Sequence, residues 1–144
     1  MNNSDQFRYL RIVLIVFGVF AVVGVYPLMR LWPSGWAWHE GPYNDYALMI
    51  VGIYATLGVF LILAARDPLA NLSLIWFTVW SSVVHAAIMA VQSVVHREHI
   101  GHLYGDVLFL LVPAALLAWL TPRSRSEAGE ARISTPSGRP SVDT

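Results

Sequence analysis

The chain has 144 residues, of which 56% are apolar and 12% charged, and its formal net charge at pH 7 is zero. Soluble proteins carry roughly 25% charged residues, so this composition is typical of a chain that folds in a lipid bilayer. The basic residues are dispersed, which excludes the clustered positive charge with which proteins bind nucleic acid. Because the chain has no cysteine, disulfides, iron–sulfur clusters and thiolate metal sites are also excluded.

Four apolar stretches are long enough to cross a bilayer, whose hydrocarbon core of about 30 Å requires roughly 20 residues of helix. The predicted spans are at about residues 10–29, 47–65, 72–95 and 103–120. The sequence therefore predicts an all-α fold, an integral membrane four-helix bundle over residues 1–121.

The fourth span includes two residues that are unusual in a membrane helix, Asp106 and Pro113. Proline removes a helical donor and clashes with the carbonyl four residues earlier, which predicts a kink between Phe109 and Pro113. Asp106 has two interpretations. Its carboxylate either caps the N-terminus of this helix or serves a functional site in a helix that begins earlier.

The arginines near the ends of the predicted spans indicate the orientation of the chain in the membrane. Arginines at the span ends concentrate on one side of the predicted bundle, at Arg8, Arg11, Arg66, Arg123 and Arg125. By the positive-inside rule both termini are predicted to be cytoplasmic, and the protein is predicted to lie in the inner membrane of a bacterium.

The C-terminal residues 122–144 are polar and lack hydrophobic periodicity, so we expect a disordered cytoplasmic tail.

The first two spans carry small residues every third position, over residues 18–26 and 52–60. Such stripes allow helix backbones to approach closely in lipid. We expect these spans to pack against each other or against a second protomer in a homo-oligomer. The similarity of the two stripes is also compatible with an inverted duplication.

The loop between the first two spans is rich in tryptophan and tyrosine, including Trp36, Trp38 and Tyr43. These residue types suit the headgroup region, so an aromatic belt is the simpler explanation. The alternative is an aromatic lid over a pocket for a flat or lipidic ligand, such as a quinone or an isoprenoid.

A polar stripe runs along the third span, because residues seven and eleven apart return to nearly the same face of a helix. Its members are Thr78, Ser81, Ser82, His85, Gln92 and His96. Trp76 and Trp80 are predicted to contact lipid on the opposite face. His85 lies about 18 Å along the helix from Ser73, near the bilayer midplane, and is expected to face the bundle interior.

His85 has a structural and a functional interpretation. It either forms a hydrogen bond to a neighbouring helix, or it anchors a ligand together with Ser81 and Gln92, relays protons or binds haem. A bis-histidine haem within one protomer is disfavoured, since no second histidine occurs in the other predicted spans. Haem bound by a single axial histidine, or bound between the two protomers of a dimer, is still an alternative.

Three histidines and an aspartate lie between the last two spans: His96, His99, His102 and Asp106. Imidazole and carboxylate groups bind zinc, copper, iron and manganese, so these are candidate ligands for a divalent metal. Their spacing matches no strong zinc motif, and solvated histidines at the membrane surface are the alternative.

Four strings of residues occur together, at 26–29, 31–36, 73–87 and 101–107. They resemble an uncharacterised family of small bacterial four-helix inner-membrane proteins, and the resemblance covers about residues 8–121. It implies the four-helix fold and no particular activity. The architecture is similar, more loosely, to that of DoxX-like membrane proteins, which include proteins associated with quinone or thiol redox systems.

These observations favour a non-catalytic module in the lipid bilayer, either an accessory subunit of a larger membrane complex or a protein that binds lipid or a small ligand. One alternative is a redox or metal-dependent membrane enzyme that uses the histidine cluster. Another is a proton-coupled transporter in which His85 titrates.

Overall fold

The computed structural model describes residues 3–36 and 45–122, all of whose regular structure is helical. The predictions for Trp38, Tyr43 and the tail from residue 123 onward lie outside these ranges. The helices are α1 (Asn3–Val23), α2 (Val25–Leu31), α3 (Pro33–Trp36), α4 (Asp45–Ala64), α5 (Leu72–Val95) and α6 (Asp106–Leu120). Two 3-10 helices, Pro68–Asn71 and Arg97–Leu103, precede α5 and α6.

Among the described residues, four helical segments are long and apolar enough to cross a membrane, which confirms the predicted class of fold. They are Ser4–Val23, Ala47–Ala64, Pro68–Val95 and Arg97–Leu120. The first helix begins earlier than the predicted span at residue 10, and the chain turns at Gly24 before α2. The fourth segment starts as a 3-10 helix and becomes α-helical only at Asp106.

Helices α1 and α4 pack closely where two glycines meet. A Cβ atom on Gly18 would lie 2.7 Å from the carbonyl oxygen of Gly58, and a Cβ on Gly58 would lie 2.5 Å from that of Gly18. Because only glycine leaves room for this approach, the small-residue stripes do bring the first two spans together.

One seam of the bundle, between α4 and α5, is less extensively packed than the others. Helix α4 packs mainly on α1, and α5 packs mainly on α6, which also contacts α1. The main core joins α1, α4, α5 and α6 through Leu10, Leu14, Phe17, Leu61, Ile75, Val79, Leu117 and Leu120. Helices α4 and α5, in contrast, contact each other only over a short stretch.

The buried face of α5 is rotated from the predicted polar stripe. The buried residues are Ile75, Thr78, Val79, Ser82, Ala86, Met89 and Ser93. Thr78 and Ser93 donate hydrogen bonds to carbonyls of their own helix, so they need no partner elsewhere. His85 and Gln92 are exposed on the flank of α5, and the expectation that His85 faces the interior is therefore wrong.

The two tryptophans of α5 differ. Trp80 is 63% exposed, as expected for a side chain that contacts lipid. Trp76 is instead partly buried against the main core, and its Nε1 donates to the carbonyl of Pro122 at 3.2 Å. The prediction for Trp76 was wrong because the pattern of one helix cannot show that the end of α6 lies against it.

Candidate functional site

A histidine and an aspartate form a buried pair where the second 3-10 helix meets α6. Nδ1 of His102 donates to Oδ2 of Asp106 at 2.8 Å, and the residues are only 1% and 7% exposed. A carboxylate that accepts from Nδ1 fixes the tautomer and orientation of the imidazole. Burying such a pair is costly, and apolar replacements are often at least as stable, so packing alone does not explain it.

Asp106 does not cap α6. The N-cap residue is Gly105, which makes no side-chain cap hydrogen bond, and Asp106 occupies the first turn. The capping interpretation is therefore wrong, although a negative charge in the first turn is still favourable for the helix. The carboxylate is directed to His102 because the 3-10 helix places that histidine beside it.

Two glycines place the short helix α3 directly against the segment that carries the His102–Asp106 pair. A Cβ on Gly101 would collide with the carbonyl oxygen of Ser34, and a Cβ on Gly105 would collide with that of Gly35. Backbone therefore lies against backbone at both positions. The strings 31–36 and 101–107, which are far apart in the sequence, meet at this contact.

Helix α3 inserts Trp36 into an aromatic cluster with Phe20 and Phe109. The ring of Trp36 is centred 5.2 Å from that of Phe109 and 5.9 Å from that of Phe20, and the two phenylalanine rings are 4.0 Å apart. Trp36 is 9% exposed, and its buried Nε1 has no hydrogen-bond partner in the described part of the chain. A buried donor without an acceptor costs about 1–3 kcal/mol, which makes this N–H a candidate ligand-binding group.

The predicted metal ligands separate into a buried and an exposed part. The ring of His99 is centred 5.7 Å from that of His102 and 6.4 Å from that of His96. His96 is exposed beside Glu98. Within residues 3–36 and 45–122, no group of three or more His, Asp or Glu side chains is placed to hold a metal ion. A metal on His96, His99, His102 and Asp106 remains a prediction that would require a different arrangement of these side chains.

The seam between α4 and α5 contains a second polar contact. The Tyr54 hydroxyl on α4 lies within hydrogen-bond distance of Nδ1 of His85 on α5, at 3.3 Å. Tyr54 also packs with Val107 and Leu110, which places the start of α6 close to the same seam. His85 thus has the interhelical hydrogen bond that its structural interpretation required.

The other two candidate ligand residues of the stripe lie on the same flank of α5. Ser81 donates to the carbonyl of Thr78 at 3.2 Å, and the side chain of Gln92 is exposed. Sequence reasoning missed Tyr54, Phe20 and Phe109 as members of the site. No local signal distinguishes an aromatic side chain that lines a site from one that contacts lipid.

The fold and the site define a small four-helix membrane protein with a buried histidine–aspartate pair at one end of its bundle. The chain belongs to a family of unknown function, DUF6632, which matches residues 4–136. The resemblance to an uncharacterised family is therefore confirmed. No curated protein and no solved structure matches the chain.

Proposed function

We propose that this protein is a non-catalytic membrane module that binds a small lipophilic ligand where Trp36, His102 and Asp106 meet. The observation that carries the proposal is the buried indole N–H of Trp36, which has no acceptor among the described residues. Trp36 follows Gly35, whose carbonyl lies against Gly105, the residue before Asp106. A ligand oxygen would satisfy this donor. The surrounding aromatic rings suit a flat molecule, so quinones and isoprenoids are the classes to test first.

The setting of the site supports a ligand that partitions into membranes. The site is at the N-terminal end of α6, inside the fourth membrane-spanning segment, and the rings of Phe20 and Phe109 extend it toward the bilayer interior. The arginine distribution supports an inner-membrane location with cytoplasmic termini, so that the site faces the outer surface.

The test is equilibrium binding of decyl-quinone, and of farnesol as a second probe, to the purified protein in lipid nanodiscs. Trp36→Phe keeps the ring stacking but removes the N–H, and it is expected to weaken binding of at least one probe about 2- to 12-fold, the range given by one hydrogen bond of 0.5–1.5 kcal/mol. His102→Gln is expected to weaken it as well.

Trp80→Phe is the matched control, because Trp80 is exposed on the lipid-facing side of α5. It is expected to leave the affinity unchanged. The proposal fails if neither probe binds saturably to the unaltered protein, or if Trp36→Phe and Trp80→Phe bind equally well.

A further inference from the structure

His85 presents a polar edge to the bilayer from the seam between α4 and α5. This seam is less extensively packed than the others, because α4 packs mainly on α1 and α5 mainly on α6. Tyr54 is partly buried against Ala86, Met89, Val107 and Leu110, whereas His85 on the other side of the contact is exposed. The exposed edge of His85 therefore faces outward, between the two helices.

The depth of His85 places that edge in hydrocarbon. It lies about 20 Å from the start of α5, a helix about 36 Å long, and thus close to its middle. Water and charged lipid headgroups are excluded from this depth. A polar atom exposed here needs a partner from the protein, from another chain or from an uncharged lipophilic molecule.

What that partner must offer follows from which atom of the Tyr54–His85 hydrogen bond carries the proton. When the Tyr54 hydroxyl donates to Nδ1, the neutral ring carries its proton on Nε2. Nε2 makes no hydrogen bond to any described residue. In this tautomer the exposed edge is an N–H donor in an apolar medium, where leaving it unpaired costs free energy.

We infer that an uncharged lipophilic molecule with a hydrogen-bond-accepting head, such as a quinone, reaches this protein from within the bilayer through the seam, its oxygen accepting from Nε2 of His85. This inference rests on the proposed ligand-binding function and adds the route and the class of ligand. The seam adjoins the first turns of α6, since Val107 and Leu110 pack with Tyr54. Asp106 of the buried pair lies at the start of the same turns.

The test is photo-crosslinking in nanodiscs with a quinone that carries a diazirine on its head and a decyl tail, with labelled residues mapped by mass spectrometry. We expect labelling of α4 and α5 around Tyr54 and His85 that excess decyl-quinone competes away. His85→Leu is expected to reduce this labelling at least about fivefold and to slow labelling near Trp36. His85→Gln, which retains an N–H donor, is expected to restore part of both.

Ile88→Leu is the control, because Ile88 is exposed to lipid close to His85 on the same helix. Labelling confined to the neighbourhood of Trp36, at a rate that His85→Leu does not change, would overturn the route but leave the proposed function intact. Crosslinks between two copies of the chain at His85 would also overturn the route, because a second copy would then cover the seam. Equilibrium binding of decyl-quinone is measured separately, and its loss would contradict the proposed function rather than the route.

Discussion

At the scale of single residues, the ionisable groups of this protein occupy very different environments. His102 and Asp106 are buried and share a short hydrogen bond, whereas His96 and Glu98 are exposed and 3.9 Å apart. Both pairs combine an imidazole with a carboxylate. Water screens the exposed pair and gives it little energetic weight, while the buried pair has no such screening.

This difference predicts the effect of removing each carboxylate. Asp106→Ala leaves His102 buried without its acceptor and is expected to lower the free energy of unfolding by about 3 kcal/mol. Glu98→Ala is expected to change it by less than about 0.5 kcal/mol. The measurement is unfolding by SDS in mixed micelles, followed by far-UV circular dichroism. Equal effects of the two substitutions would contradict the buried hydrogen bond.

At the scale of helices, glycine determines which pairs approach most closely. Gly18 and Gly58 bring α1 against α4, while Gly101 and Gly105 bring the segment before α6 against α3. Another glycine of α4, Gly52, has no atom within 4 Å of a Cβ placed on it. The same residue type on one helix therefore serves packing at one position and not at the other.

Substituting the two glycines of α4 separates these cases. Gly58→Ala places a methyl group against the backbone of α1 and is expected to lower the free energy of unfolding by about 1–3 kcal/mol. Gly52→Ala meets open space and is expected to leave stability unchanged or raise it by up to about 1 kcal/mol, because alanine is the better helix former. Unfolding in SDS compares them, and a Gly58→Ala protein as stable as the Gly52→Ala protein would show that α1 and α4 are further apart.

At the scale of the whole molecule, contacts at one end of the bundle join the beginning and the end of the described chain. Gln6 donates to the carbonyl of Leu120 at 3.1 Å, and Arg11 donates to that of Arg66 at 3.4 Å. The start of α1 and the end of α6 therefore lie at the same end, with His102 and Trp36 at the other. The candidate site is thus at the opposite end of the bundle from both ends of the described chain.

This arrangement predicts that both termini are on one side of the membrane, and the arginines favour the cytoplasmic side. A green fluorescent protein fused to the C-terminus is expected to fluoresce, and alkaline phosphatase at the same position to be inactive. Phosphatase inserted between α3 and α4 is expected to be active. An active C-terminal phosphatase would reverse the orientation, and the site would then face the cytoplasm.

The sequence by itself determined the number of spans, because the length of an apolar helix is set by the thickness of the bilayer. It also identified Trp80 as lipid-facing and residues 101–107 as one of the strings that resemble the uncharacterised family. It could not identify the partners of His85 or His102. Periodicity shows that polar residues share a stripe on α5, but the rotation of that stripe depends on which neighbouring helix packs most closely.

Only the tertiary structure brought together Tyr54 with His85, and Trp36 with the neighbourhood of Asp106. The reason is that these contacts join helices far apart in the sequence, whose approach is set by small residues such as Gly18, Gly58 and Gly105 rather than by the polar groups themselves. The apolar pattern thus fixes each helix in the membrane. The close approach of backbones then decides which polar side chains meet.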